Sequence, residues 1–580
     1  MNSAACYHRP ESEMAYLYDD GHLHIRFQSA KDDLQKVEVI WGDPYRLLSE
    51  KWYLDAQPMV QTASSLDKDF YQIAIQPPLK RLAYLFKLTD TQGQVAYYTE
   101  HGIFAEGDLS LQIENLYFRL PFLHDRDAFK APQWVKETVW YQIFPERFAN
   151  GNPANDPEGT LTWDSQRKPG YKDFFGGDLQ GIMDKLDYLS DLGVNGLYLC
   201  PIFKASSNHK YDTIDYFDID PAFGDKKLLK QLITACHQRG IKVMLDAVFN
   251  HIGEESPQWQ DVLEKGEESR YKDWFHIEQF PPQVTRSKRG HVRATYHMFA
   301  QSGNLPKLNT ANPEVKAYLL EVAKYWIEVF DIDAWRLDVA NEIDHAFWKD
   351  FRKVCDAAKK DFYIVGEIWH SAQKWLEGDE CHAVMNYAYT DSILSHYLYH
   401  QIGLNRMLSQ LAEHQQLYRE QTNQVMFNLP ASHDTPRLLH LCGNNKELMK
   451  FVLTFIFLQQ GSPAVYYGDE VGLTGGADPD CRRCMAWLPE NQDLELLAFY
   501  KALIAFRKSY ADVISFGKRS FELVDEEKGL LSFVIQHGDE RLSCIFNEGK
   551  THDIAAEHAI MRQNYINGKL EKHGFLIYQN

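Results

Sequence analysis

Over the first 124 residues apolar and polar positions alternate with a period of two, as in "LHIRFQSA", "KVEVIWG" and "RLAYLFKLTD", with turn-forming residues between these runs. Successive side chains of a strand face opposite sides, so this alternation predicts half-buried strands, and their spacing predicts an antiparallel sandwich. "FLHDRDAFKAPQW" then reads as a linker. From Thr138 the texture changes. Short apolar runs ("TVWYQIF", "GVNGLYLCP", "IKVMLDAVF", "IDAWRLDV", "FYIVGEIW", "HAVMNY", "NQVMFNLP", "SPAVYYGDE") alternate with longer amphipathic segments such as "KKLLKQLITACHQRG" and "NPEVKAYLLEVAKYWIEVF". Asn312 is placed to cap the second of these helices, with Pro313 at its first position, and Gly240 ends the first. About eight strand–helix pairs predict a (β/α)8 TIM barrel. The surplus chain between the third strand and the Asn312 helix predicts an inserted subdomain over about 252–310. From about Tyr510, "RSFELV", "LLSFVIQ" and "RLSCIFN" return to strand texture and predict a C-terminal β-sandwich. The expected domains are thus an N-terminal β-sandwich over 1–124, a barrel over 125–505 and a C-terminal β domain over 506–580.

Composition narrows the class of protein. The chain has 580 residues, 44% hydrophobic and 24% charged, enough apolar content for two to four packed domains. Its net charge of −20 argues against nucleic acid or an anionic membrane as partner. The start, "MNSAACYHRPESEMAYLYDD", lacks the pattern of a secretory signal, and no apolar run is long enough to span a bilayer. Nine scattered cysteines suit a reducing compartment, so a cytoplasmic location is expected. Cys481 and Cys484 have no partner pair at zinc-ligand spacing and read as reduced structural thiols.

The ends of the barrel strands carry the chemistry. Active sites of barrels lie at the C-terminal strand ends. Here the third strand ends with Asp246, Asn250 and His251, and the fourth with Arg336, Asp338, Asn341 and Glu342. The fifth ends with Glu367, Trp369 and His370, and the seventh runs into His433 and Asp434. A retaining glycosidase needs two carboxyl groups about 5–5.5 Å apart. Neighbouring strands lie about 4.8 Å apart, so the adjacent ends bearing Asp338 and Glu367 can supply them. One carboxyl must be charged while the other holds its proton. Arg336, two residues before Asp338, shares its face of the strand and would favour ionised Asp338. Glu367 is followed by apolar Ile368 and Trp369.

"DAVFNH", "WRLDVANE", "GEIWH" and "SHDTPR" resemble, in order, four signature regions of the α-amylase superfamily, and "LPKLN" resembles a fifth. Within it, "RLDVANEIDH", "PKLNTANPEV", "WYQIFPERFANGNP" and "FFGGDLQGI" resemble the neopullulanase, cyclomaltodextrinase and maltogenic amylase group. The resemblance covers nearly the whole chain and is weakest over the last ~70 residues. It implies Asp338 as nucleophile, Glu367 as acid/base and Asp434 as the third carboxylate. His251, Arg336 and His433 would line the subsite of the reacting glucose, Tyr211 would stack on that ring, and Asp478 and Arg482 would grip the sugar further out. Residues Asn150, Asn152, Asn155, Asp156, Gly176 (by its carbonyl) and Asp178 read by themselves as a polar turn. The resemblance makes them a structural calcium site, with Asn152 where many relatives carry Asp. Glu342 replaces the usual His of the other calcium site familiar in amylases. No organic cofactor is expected. Two further departures, Cys381–His382 and Pro430–Ala431, are expected near the rim of the cleft.

The activity so implied is retaining cleavage of α-1,4 bonds in cyclodextrins, pullulan and maltooligosaccharides. The alternatives are a mainly transglycosylating maltogenic amylase and a non-catalytic sugar-binding protein. The last predicts loss of a carboxylate, and all three are present. The group also implies a homodimer whose N-terminal domain covers the partner's cleft, with Tyr45 of "WGDPY" a candidate to reach into it.

Overall fold

The computed structural model describes residues 1–19, 21–46, 55–286, 292–555 and 558–579. The N-terminal region is two antiparallel sheets. One holds Ala15–Asp19, His22–Ala30, Lys68–Ile75 and Val60–Ser64 in that spatial order. The other is built on Leu34–Gly42 paired with Leu82–Asp90. Alternate residues meet between them: Leu23, Ile25 and Phe27 from the first, Val37, Val39, Tyr84, Phe86 and Leu88 from the second. This is the sandwich that period-two alternation requires.

The centre is a barrel of eight parallel strands: β1 (Trp140–Ile143), β2 (Gly196–Leu199), β3 (Lys242–Ala247), β4 (Ala334–Leu337), β5 (Tyr363–Gly366), β6 (Ala383–Val384), β7 (Phe427–Asn428) and β8 (Ser462–Tyr466). Strand follows strand in chain order, β8 returns to β1, and a parallel bridge between Met385 and Phe427 joins β6 to β7. Helices α1 (Lys226–Gln238), α2 (Pro257–Lys265), α3 (Pro313–Phe330), α4 (His345–Ala358), α5 (Leu404–Gln416) and α6 (Lys446–Phe457) belong to the connections. The Asn312 side chain accepts from the backbone of Glu314 and Val315, and so caps α3. Gly240 takes a φ of +70° just past α1.

Between β3 and α3 the chain forms α2 and a hairpin that begins at Val284–Arg286. Trp259, Phe275 and Tyr296 pack together within it, and bridges from His251 to Lys307 and from Phe275 to Leu308 fix it against the mouth of the barrel. The C-terminal strands, from Lys518–Asp525 to Lys569–Gln579, are linked in one antiparallel six-stranded sheet. Phe533 and Phe546 of this sheet pack on Phe451 and Phe455 of α6. The C-terminal sandwich expected from the sequence is thus corrected to one sheet, for which the barrel's own helix supplies the apolar surface that a second sheet would give.

The outer face of the N-terminal sheet is also covered. Arg26 donates to the carbonyl of Tyr418 at 2.7 Å, and His24 lies 3.3 Å from Glu420. Leu66 N–H donates to Ser409 on α5. Polar residues that alternation would turn to water therefore dock on the barrel. No helix among the described residues is long and apolar enough to cross a membrane. All nine cysteines are buried and free.

A second expectation is corrected. Cys381 and His382 are not at the cleft rim. They precede β6, at the N-terminal end of the barrel, and are buried. His382 Nδ1 accepts from the Ile364 backbone at 3.1 Å.

Candidate active site

The site grows from the register of β3, β4 and β5. Asp246 pairs in register with Arg336, and Leu337 with Gly366, so Asp338 and Glu367 emerge side by side where the ladder ends. Arg336 is 1% exposed and stands among three carboxylates. Its Nη1 lies 2.9 Å from Asp246 Oδ1 and 2.8 Å from Asp338 Oδ1, and its Nη2 lies 2.8 Å from Glu367 Oε2. The two arms of one planar guanidinium thus hold Asp338 and Glu367 toward each other. Asp246 is bound further by the hydroxyls of Tyr198, at 2.7 Å, and Tyr211, at 2.9 Å.

Burial pushes the Asp338 carboxyl well above the usual carboxylate range, and Glu367 and Asp246 add to the rise. The Arg336 guanidinium pulls it down, as its place in the sequence suggests, but does not outweigh the loss of water. One cation among three buried carboxylates leaves excess negative charge in the cluster.

Glu367 is fixed at both oxygens. Oε2 accepts from the backbone N–H of Val339 at 3.0 Å, and Oε1 from Trp369 Nε1 at 3.1 Å. Val339 takes φ +47°, ψ +44°, a left-handed conformation that costs a β-branched residue energy. Trp369 is stacked on Tyr387 at 3.7 Å.

The rest of the wall comes from four connections. His251 stacks on Phe299 at 4.9 Å and donates from Nε2 to the Tyr211 carbonyl at 3.1 Å. Burial lowers its pKa to about 3, so it is neutral. The rings of Tyr211 and His433 are stacked at 5.4 Å. Asp434, in the turn after β7, pairs with Arg482 at 3.0 Å, and Arg482 pairs with Asp478 at 3.1 Å. The backbone of that last loop is braced from behind: Arg147 donates to the Arg482 carbonyl at 3.1 Å and Arg437 to the Cys481 carbonyl at 2.9 Å.

These residues open on one cleft of about 570 Å³, lined by Tyr211, His251, Asp338, Glu367, His433, Asp434, Asp478 and Arg482. That size admits several sugar rings. Arg336 lies beneath it. Every catalytic and substrate-binding residue singled out in the sequence therefore meets at one place. Pro430 and Ala431 are buried just past β7. Several functional groups were missed. Asp246 was visible as a strand-end carboxylate but was given no role. Phe299, from the inserted subdomain, and Tyr171, after β1, also line the cleft. They carry no local signal, because only the tertiary fold brings them there.

The candidate calcium residues gather beside β1. Asn150 Nδ2 donates to Asp156 at 2.9 Å. Asp178 accepts from the backbone of Gly151, at 3.0 Å, and Asn152, at 2.9 Å, and also caps the helix that begins at Leu179. Gly176 has a φ of +80°, and a Cβ there would collide with Asn150 and Asp156. Asn150 Oδ1 and Asn155 Oδ1 are buried carbonyl oxygens without a hydrogen-bond partner. Such oxygens suit calcium, which takes six to eight oxygen ligands. Asn152 does not join them: its side chain is exposed and accepts from Ala154 N–H at 3.3 Å.

Comparison with known proteins places this geometry. Residues 142–493 match the family model for the alpha amylase catalytic domain, and residues 1–124 match that for the alpha amylase N-terminal ig-like domain. An intracellular maltogenic amylase from Bacillus subtilis is 49% identical over 98% of this chain and 95% of its own length. A cyclomaltodextrinase from Geobacillus thermopakistaniensis (strain MAS1) is 50% identical over 94% of this chain and 91% of its own. A solved cyclomaltodextrinase structure superposes with a TM-score of 0.92 at 41% identity, covering the whole of both chains.

Proposed function

Because the chain belongs to the α-amylase family and is a glycoside hydrolase, we propose that it cleaves α-1,4 bonds of cyclodextrins, pullulan and maltooligosaccharides with retention of configuration. The observation that carries this reading is the Arg336 guanidinium, with one arm on Asp338 and the other on Glu367 at adjacent strand ends.

Asp338 attacks the anomeric carbon as Glu367 protonates the departing glycosidic oxygen. A glycosyl ester on Asp338 results, and Glu367 then takes a proton from the water that hydrolyses it. The mechanism requires the proton on Glu367 and the charge on Asp338 when this begins. Arg336 faces both groups and stabilises that charge. Asp434 binds hydroxyls of the reacting ring and favours the oxocarbenium-like transition state. Tyr211 stacks on the ring, His251 and His433 line its subsite, and Asp478 and Arg482 hold the next sugar.

Calcium would be held by Asn150, Asn155, Asp156, the Gly176 carbonyl and Asp178. It would tie the turn after β1 to the start of the following helix and take no part in cleavage. The protein acts as a homodimer in which the N-terminal domain covers the partner's cleft, and it works inside the cell. The intracellular name of one relative and nine free, buried cysteines support the location.

The test is the product profile on β-cyclodextrin, pullulan and soluble starch, with Asp338→Asn as control. Panose from pullulan and loss of all turnover in Asp338→Asn are expected. Maltotriose from pullulan would overturn the bond assignment, and equal background turnover in both proteins would overturn the activity.

A further inference from the structure

Barrel interiors are filled mainly by branched apolar side chains. Here β1 sends an amide inward. Trp140 and Gln142 are two residues apart and share a face of β1. Trp140 packs across the barrel against Tyr363 of β5 and Phe427 of β7. Gln142 therefore points into the same interior, one layer nearer the cleft, and is 1% exposed. Its Nε2 donates to His433 Nδ1 at 2.7 Å and lies 3.5 Å from Cys200 Sγ.

That bond determines which nitrogen of His433 carries the proton. Burial, with the Arg482 and Arg336 guanidinium groups, pushes the His433 pKa well down, against the opposing pull of Glu367, and neighbouring His209 acts in the same downward direction. A neutral imidazole has a single N–H. With Nδ1 accepting from Gln142, the proton is on Nε2. That nitrogen lies 2.6 Å from the Tyr211 hydroxyl and 3.2 Å from Asp434 Oδ2. Tyr211 in turn donates to Asp246 at 2.9 Å, and Asp246 holds Arg336. The donors thus run in one direction, Gln142 to His433 to Tyr211 to Asp246. With the amide reversed, Nδ1 would carry the proton, the Nε2 lone pair would face the Asp434 carboxylate, and Asp246 would lose a donor.

We propose that Gln142 is a positioning residue for hydrolysis: from inside the barrel it holds His433 in the Nε2–H tautomer and, through it, orients Tyr211 and Asp434 about the reacting sugar. The inference rests on the glucan hydrolysis proposed above. It adds a residue that touches no substrate and to which the signature motifs assign no role.

Two variants test it. Gln142→Met keeps the length of the side chain and removes the donor. Its kcat on β-cyclodextrin should fall about tenfold, the order of one well-made hydrogen bond, with KM changed less than about twofold. Gln142→Glu replaces the donor with an acceptor. Neutral His433 then carries its proton on Nδ1 while the new carboxylate is charged, and the Nε2–H returns when a proton is added, either to the ring or to that carboxylate, which then donates to Nδ1. The ratio of Gln142→Glu activity to wild-type activity should therefore rise as pH falls from about 8 to about 5. A ratio that stays flat over that range is what a merely structural role would give, and it overturns the proposal. So does a Gln142→Met enzyme with wild-type kcat. Should Gln142→Glu fail to fold, the kcat and KM of Gln142→Met decide alone. A wild-type enzyme with no turnover on any α-glucan would instead sink the underlying function.

Discussion

Arg336 shows how one side chain serves both stability and chemistry. Its removal would leave Asp246, Asp338 and Glu367 buried without their common cation, and breaking a buried pair costs about 3–5 kcal/mol. The cost depends on pH. Burial raises the Asp338 and Asp246 carboxyls above their ordinary values in the folded protein, Asp338 well above. A raised carboxyl contributes stability at low pH that is lost as pH climbs from about 4 through its folded value. Without Arg336 these values rise further. Urea unfolding should therefore show a gap between wild type and Arg336→Met that is wider at pH 8 than at pH 5. An equal gap at both would mean that the guanidinium does not hold these charges. Val339 makes the opposite exchange. Val339→Gly relieves a left-handed conformation worth about 1–2 kcal/mol and loosens the N–H that fixes Glu367. Its melting temperature should stay level or rise while kcat falls several-fold, and a fall in both would refute strain held for function. The pairing of Arg336 with Asp338 was legible from their spacing of two on a strand. The net rise at Asp338 was not, because it depends on burial and on carboxylates from two other strands. Nothing in the letters around Val339 signals its backbone.

At the scale of elements the chain was readable wherever one local rule dominated. All eight apolar runs became barrel strands, and Asn312 caps α3 as its place before Pro313 suggested. Asn312→Ala should cost about 1 kcal/mol in chemical unfolding with hydrolysis unchanged, and no loss would mean that Pro313 alone starts the helix. Legibility failed where partners come from elsewhere. β6 is a two-residue ladder within a longer apolar run, and Cys381 and His382 precede it, so chain direction puts them at the end of the barrel away from the cleft, where they are buried. The turn after β1 is a similar case: its polar letters alone do not separate a loop from a cation cage. The orphaned carbonyls of Asn150 and Asn155 favour the cage. Chelation of calcium should lower the melting temperature and leave kcat at low temperature unchanged. A melting curve indifferent to chelator would remove the ion from the account.

At the scale of the molecule, the three regions were separable because strand period, apolar-run length and helix length change along the chain. Their packing was not, since it uses polar residues such as Arg26 and His24 on a face that alternation assigns to water. This packing constrains quaternary structure. The N-terminal sandwich lies against α5 and the segment before β7, and among the described residues none before Arg147 lines the cleft. Within one chain the described residues of the domain therefore do not narrow the cleft. If it acts on substrate choice, it does so on a second copy. Tyr45, 77% exposed with the Arg81 guanidinium 4.5 Å from its ring centre, is an outward aromatic suited to meet a sugar or a partner. Light scattering should thus give twice the chain mass of 67.4 kDa at micromolar concentration. On dilution the mass should halve, and the starch rate should rise relative to the cyclodextrin rate over the same range, as the cover leaves a cleft open to long chains. A monomer at every concentration would refute the arrangement. So would a rate ratio that holds steady while the mass halves, because the dimer would then exist without covering the site.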